Sequence, residues 1–161
     1  MNATDTVVNA ADLLKEHEEA IGRLYAAYAR RFPQDAGFWR GLAREESQHA
    51  RWVASLKSRF DEGVSGLVVE RFPAVAIERS LAYVHKLTDL ADWPGLTRIN
   101  ALSAALDIER ALLESRYFEV FESDSVRVKR TLDLLARNTR THLDRVQSAW
   151  EAATHKQRSI D

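Results

Sequence analysis

The sequence contains no cysteine. That absence excludes disulfides, thiol nucleophiles, zinc ribbons and cysteine-ligated iron, so any metal must be held by oxygen and nitrogen. No stretch approaches the roughly 20 uninterrupted apolar residues that a membrane-spanning helix needs. An excess of one charge sign is missing too: 23 Lys and Arg face 24 Asp and Glu, mixed along the chain. Such a balance builds no field for nucleic acid or anionic lipid, and neither is expected as a partner. The start, Met1-Asn2-Ala3-Thr4-Asp5-Thr6, lacks the basic and apolar regions of a signal peptide, which predicts a cytoplasmic protein.

Glycine and proline are also scarce, at six and three residues. They cluster around Pro33 to Gly41, Gly63 to Pro73 and Pro94 to Gly95, and Gly22 is the one deep interruption of a helical pattern. With 161 residues, 45% of them apolar and 29% charged, the chain suits one globular domain spanning 1–161.

Between the glycine and proline clusters, apolar residues recur at alternating spacings of three and four, the pattern of helices with one buried stripe. The chain is therefore expected to be all-α. The first helix, roughly Ala10 to Phe32, carries Leu14, Glu18, Ile21, Tyr25, Tyr28 and Phe32, with Asn9 and Asp12 as a start signal. A second, roughly Asp35 to Phe60, carries Trp39, Leu42, Glu46, His49, Val53, Leu56 and Phe60. The third, roughly Thr97 to Phe121, carries Leu102, Leu106, Glu109, Leu113, Tyr117 and Val120. In the fourth, roughly Val126 to Ala153, Val128, Leu132, Leu135, Thr139, His142, Val146, Ala149 and Ala153 align.

Tight links around Pro33 and Glu122 to Ser125 make helices one and two antiparallel, and likewise three and four. About 35 residues separate helices two and three, enough to return along a helix about 40 Å long at 1.5 Å per residue. Helices two and three should then run parallel. The amphipathic segment Ala74 to Asp92 predicts an extra helix within this crossover, packed outside a four-helix bundle. The halves also echo each other, since Ala43-Arg44-Glu45-Glu46-Ser47-Gln48-His49 and Ala136-Arg137-Asn138-Thr139-Arg140-Thr141-His142 share Ala, Arg and His in register.

The polar residues on the stripes carry the chemistry. Glu46 and His49, three apart, project from one helix face and suit two ligands on one metal. Glu18, Glu46, His49, Glu109 and His142 all lie mid-stripe among apolar neighbours, so four helices aim ligands at one layer. Two like charges about 4 Å apart repel by about 4 kcal/mol at an effective dielectric of 20, and burial adds several kcal/mol per ion. A divalent cation offsets both, and carboxylate with imidazole suits iron, manganese or zinc. The bland reading is that Arg110 or Arg116 neutralises the carboxylates while the histidines bond carbonyls or Thr139. Tyr25 and Tyr28 read as core aromatics, either of which could hydrogen-bond a ligand. His17, His85 and His155 fall off the stripes and are expected at the surface.

From about Ala10 to Ala153 the sequence resembles the ferritin-like superfamily, specifically its rubrerythrin-type helical domain. The resemblance rests on Glu18 with Tyr25 seven residues later and on the run Ala43 to His49. It implies a Glu from each of helices one and three and a Glu-x-x-His from each of helices two and four, together holding two irons. Glu18, Glu46, His49, Glu109 and His142 match that set. Thr139 stands where the family has Glu, and Leu112 where rubrerythrins often carry a further Glu. Three carboxylates leave two ferrous ions with one excess positive charge, so the resemblance implies one or two ions per chain. An asymmetric site is expected, tighter at Glu18, Glu46 and His49 and weaker where Glu109 and His142 face Thr139.

The activity implied is redox chemistry with peroxide or dioxygen, of the peroxidase or ferroxidase type. With no cysteine for a rubredoxin module, it needs an external electron donor; a homodimer is expected. The alternative is a catalytically degenerate bundle serving as a structural or partner-binding module, which Thr139 and Leu112 favour. Iron storage in a cage fits the length, but no residue pattern marks a cage interface.

Overall fold

The computed structural model describes residues 3–61, 68–69, 74–114, 121–122 and 126–158. Its elements in chain order are α1 (Ala3–Arg31), a 3-10 turn (Pro33–Asp35), α2 (Ala36–Asp61), β1 (Val68–Val69), α3 (Ala74–Asp89), α4 (Arg98–Glu114), β2 (Phe121–Glu122) and α5 (Val126–Arg158). Among the described residues the architecture is helical, apart from one two-residue ladder in which Val68 pairs with Glu122 and Val69 with Phe121, antiparallel.

Pro33 ends α1 because its ring cannot continue the i to i−4 ladder, and the chain reverses through a single 3-10 turn. The return is antiparallel: Lys57 near the end of α2 bonds Asp12 near the start of α1 at 2.7 Å. The pair α4 and α5 is antiparallel as well, with Trp150 Nε1 donating to Ser103 Oγ at 2.8 Å. At one end, Arg98 opening α4 grips Asp35 before α2 at 2.6 Å. At the other, β1 beyond α2 pairs with β2 beyond α4. These two ties show that α2 and α4 run in the same direction, as the long crossover requires.

The expected third helix is α4, which is shorter than its periodicity suggests. Residues 115–120 lie outside the described set, and Phe121, expected as the last helical residue, is in β2 instead. On α4 the buried position near the end is Leu112, whereas Leu113 is half-buried. The α4–α5 link at 123–125, and the stripe positions Phe60, Tyr117 and Val120, also fall outside the residues whose side chains are described. The crossover helix is α3. It packs along α1 through Ile77 and Val84, both buried.

The core is built from the expected stripes. Trp39 is fully buried between Tyr25 and Tyr28, with ring centroids at 5.6 and 5.0 Å. Leu14, Ile21, Leu42, Val53, Leu102, Leu135 and Val146 complete the walls around the polar layer. Among the described residues, no helix is long and apolar enough to cross a membrane.

Candidate metal centre

Each carboxylate and imidazole of the layer is delivered by the apolar stripe that buries its helix. A residue in register with that stripe cannot reach water without turning the whole helix. Glu18 comes from α1, Glu46 and His49 from α2, Glu109 from α4, and His142 with Thr139 from α5. All six are at most 1% exposed.

Glu46 is the centre of the arrangement. Its Oε2 lies 2.9 Å from His49 Nδ1 and its Oε1 2.8 Å from His142 Nδ1, so one carboxylate joins both imidazoles. The imidazoles stack with ring centroids 5.1 Å apart, and Trp52 also stacks on His49, at 5.5 Å. Glu18 flanks His49, with Oε2 at 3.5 Å from Nδ1, and Glu109 flanks His142, with Oε1 at 3.6 Å from Nδ1. Tyr25 donates its hydroxyl to Glu109 Oε1 at 2.7 Å.

Protons hold this layer together. Burial pushes the His49 imidazolium down, but Glu18 and Glu46 outweigh it and lift His49 to about 10. Burial likewise opposes the His142 charge, and Glu109 with Glu46 raises it to about 11. Burial and the Glu109 charge push Glu46 up, yet its two imidazole contacts hold it below the ordinary carboxylate range. Glu18, whose burial is opposed only by the more distant His49, is pushed up to about 7. Burial, then the neighbouring Glu109 charge, carry the Tyr25 phenol well above its ordinary value.

The protein's own groups nonetheless leave the layer unsatisfied. Among the described residues, neither oxygen of Glu18, nor Glu109 Oε2, nor His49 Nε2 has a hydrogen-bond partner, though all are buried. Leaving a buried polar atom unbonded costs about 1–3 kcal/mol, more when it is charged. The donors of Glu46, His49 and His142 lie within 4.8 Å of one another, close enough to share a cation. Two histidines with one carboxylate form a set suited to non-haem iron, and equally acceptable to manganese or zinc. The orphaned atoms and the donor chemistry both fit a divalent metal.

All five expected ligands are therefore in one layer, but the tightest group is Glu46, His49 and His142, rather than Glu18, Glu46 and His49. Thr139 does not fill the place of a ligand. Its hydroxyl donates back to the Leu135 carbonyl at 3.0 Å. Of the two arginines that could have neutralised the layer, Arg110 is exposed, and Arg116 lies outside the described residues. Tyr28 is a core aromatic, and Tyr25 is the tyrosine that bonds a candidate ligand.

One histidine departs from its expected place. His85 and His155 are exposed, but His17 is fully buried, with Nε2 at 2.8 Å from Ser80 Oγ on α3. The signal was present in α1, where Leu13, Ala20, Leu24 and Ala27 lie beside the main stripe and form a second face for α3 to cover. Glu45 lies off the stripe of α2, yet it too reaches the layer. It stands 2.7 Å from His142 Nε2 and carries Arg145 at 2.9 Å. Comparison with family models, curated proteins and solved structures finds no match to this chain.

Proposed function

We propose that the chain is a ferritin-like non-haem metal protein in which α1, α2, α4 and α5 form the bundle and α3 is the extra crossover helix. On this reading Glu46, His49 and His142 hold one divalent metal, iron by preference, and Glu18 with Glu109 stand ready to complete it or to admit a second ion. The observation that carries the reading is the joining of two imidazoles by Glu46 inside a layer that leaves both oxygens of Glu18 without a partner. Bound iron supplies one-electron redox chemistry toward peroxide or dioxygen.

The protein's part is positional. Tyr25 orients Glu109, Trp52 backs His49, and the aliphatic walls exclude water, which strengthens every charge interaction inside. Because the chain has no cysteine, electrons for a complete cycle come from a donor outside it. Anaerobic ferrous titration of wild type, Glu46→Ala and His49→Ala tests the proposal. Wild type is expected to take up iron tightly, and both variants to lose that uptake. Peroxide should then give near-ultraviolet absorbance in wild type, with no sustained turnover until a reductant is added. Equal iron content in all three proteins would overturn the reading.

A second reading, a partner-binding bundle, draws on a different feature. The exposed side of the α1–α2 pair carries a groove of about 640 Å³, floored by Gly22, Ala43 and Ala50. Arg23, Arg40 and Arg44 line it and form no ion pair among the described residues. That charge would suit an acidic segment of another protein. Loss of partner binding in Arg40→Glu/Arg44→Glu, with iron uptake intact, would favour this reading.

A further inference from the structure

We propose that Glu45 and Arg145 form a clamp that fixes the ring of His142, and that Gly41 is the gap through which Arg145 reaches Glu45. The proposal rests on Glu46, His49 and His142 being a metal centre, and it adds the groups that aim one of the three ligands.

Consecutive helical residues diverge by about 100°, so when Glu46 faces the layer Glu45 must face the boundary between α2 and α5. There its Oε2 accepts from His142 Nε2 at 2.7 Å. An imidazole carries its two nitrogens on opposite sides of the ring, so a partner on Nε2 directs Nδ1 inward, where it meets Glu46 at 2.8 Å. His49 is held by other means: its Nε2 has no hydrogen-bond partner among the described residues, and stacking against Trp52 sets the ring. Of the two histidines, only His142 has its outer nitrogen engaged.

Glu45 alone would be a loose anchor, because its side chain is 44% exposed. Arg145 removes that freedom, with Nη1 at 2.9 Å from both carboxylate oxygens. Arg145 follows His142 by three residues, so both emerge on the same side of α5. As a surface ion pair the contact would add little to stability. What it does is hold a carboxylate against a buried nitrogen.

Gly41 supplies a separate observation. It sits inside α2, four residues before Glu45, at a position where glycine is the poorer helix former. A Cβ at Gly41 would stand 3.3 Å from Arg145 Nη2, closer than an ordinary contact. The glycine thus leaves the guanidinium room to lie across α2.

Groups that orient a metal-ligating histidine typically change metal affinity 10- to 100-fold when removed. Zinc, which is diamagnetic, is the probe. Glu45→Ala is expected to weaken zinc binding by 10- to 100-fold in chelator competition. Glu45→Gln, which keeps an acceptor, should weaken it less. In a His142→Ala background, Glu45→Ala should change nothing further. A Glu45→Ala affinity within twofold of wild type, or an equal loss in the His142→Ala background, overturns the clamp. Should wild type bind no zinc at all, the metal-centre reading fails, and the clamp is decided in the metal-free protein. There the His142 Nε2 proton is expected as a slowly exchanging downfield resonance in wild type that disappears in Glu45→Ala; its persistence overturns the clamp.

Discussion

Glu46 and His142 are 96 residues apart in the chain, yet Oε1 of one lies 2.8 Å from Nδ1 of the other in a fully enclosed layer. Since the same carboxylate also holds His49, Glu46 is the one group whose loss releases both imidazoles at once.

Glu46→Gln keeps the volume and removes the charge. In the metal-free protein two buried imidazolium groups then lose their shared counter-ion, and breaking a buried pair from one side costs about 3–5 kcal/mol. Urea unfolding in the presence of chelator should show a loss of that size, and metal analysis should show the tight site gone. An unchanged midpoint would contradict the central role of Glu46.

The pH dependence of stability should change sign on metal loading. His49 and His142 are raised to about 10 and about 11 when folded, above the ordinary histidine value near 6.5. Their contribution is fully present below about pH 6.5 and is lost as pH rises through their folded values. Glu18, raised to about 7, likewise favours the folded state below about pH 4.5 and loses that advantage as pH rises through 7. Metal-free protein should therefore unfold at lower urea at pH 9.5 than at pH 6. A metal that takes the place of the imidazole protons binds more tightly as they leave, so the loaded protein should gain stability over the same interval. Parallel trends in the two forms would count against metal ligation by these histidines.

Thr139→Glu would recreate a Glu-x-x-His on α5. The position is 1% exposed and its hydroxyl is committed to the Leu135 carbonyl, so the larger side chain brings an overpacking cost of about 1–3 kcal/mol. If the fold absorbs that cost, anaerobic ferrous titration should move toward two equivalents per chain. Two equivalents of similar affinity in wild type would show that the layer already holds two ions without a ligand at Thr139.

Tyr25→Phe removes the hydroxyl that Glu109 Oε1 accepts, leaving both oxygens of that buried carboxylate unbonded. A loss of about 1–3 kcal/mol is expected in the metal-free protein. The loss should be smaller with metal bound, because a cation then meets the charge. An equal loss in both forms would place Glu109 outside the metal's reach.

Glu18, Glu46, His49, Glu109 and His142 were legible as a layer because each sits on an apolar stripe, and a helix that buries its stripe must bury whatever shares its register. The same logic gave α2, α5, the crossover helix α3 and α1 from Ala10 onward, although α1 begins at Ala3 and holds Asn9 and Asp12 within it. It covered α4 from Arg98 to Glu114 but ran on to Phe121, which pairs with Val69 instead, because periodicity does not register a strand partner. The contacts of Glu45 and His17 were illegible for a related reason: they are made with neighbours from α5 and α3, and a stripe records only the main core face of its own helix. Sequence by itself determined that the polar residues of the main stripes go inside. Tertiary structure decided which of them meet, that Glu46 takes both imidazoles, and that Arg145 passes Gly41 to hold Glu45, because these contacts depend on how helices are rotated and set against one another in space.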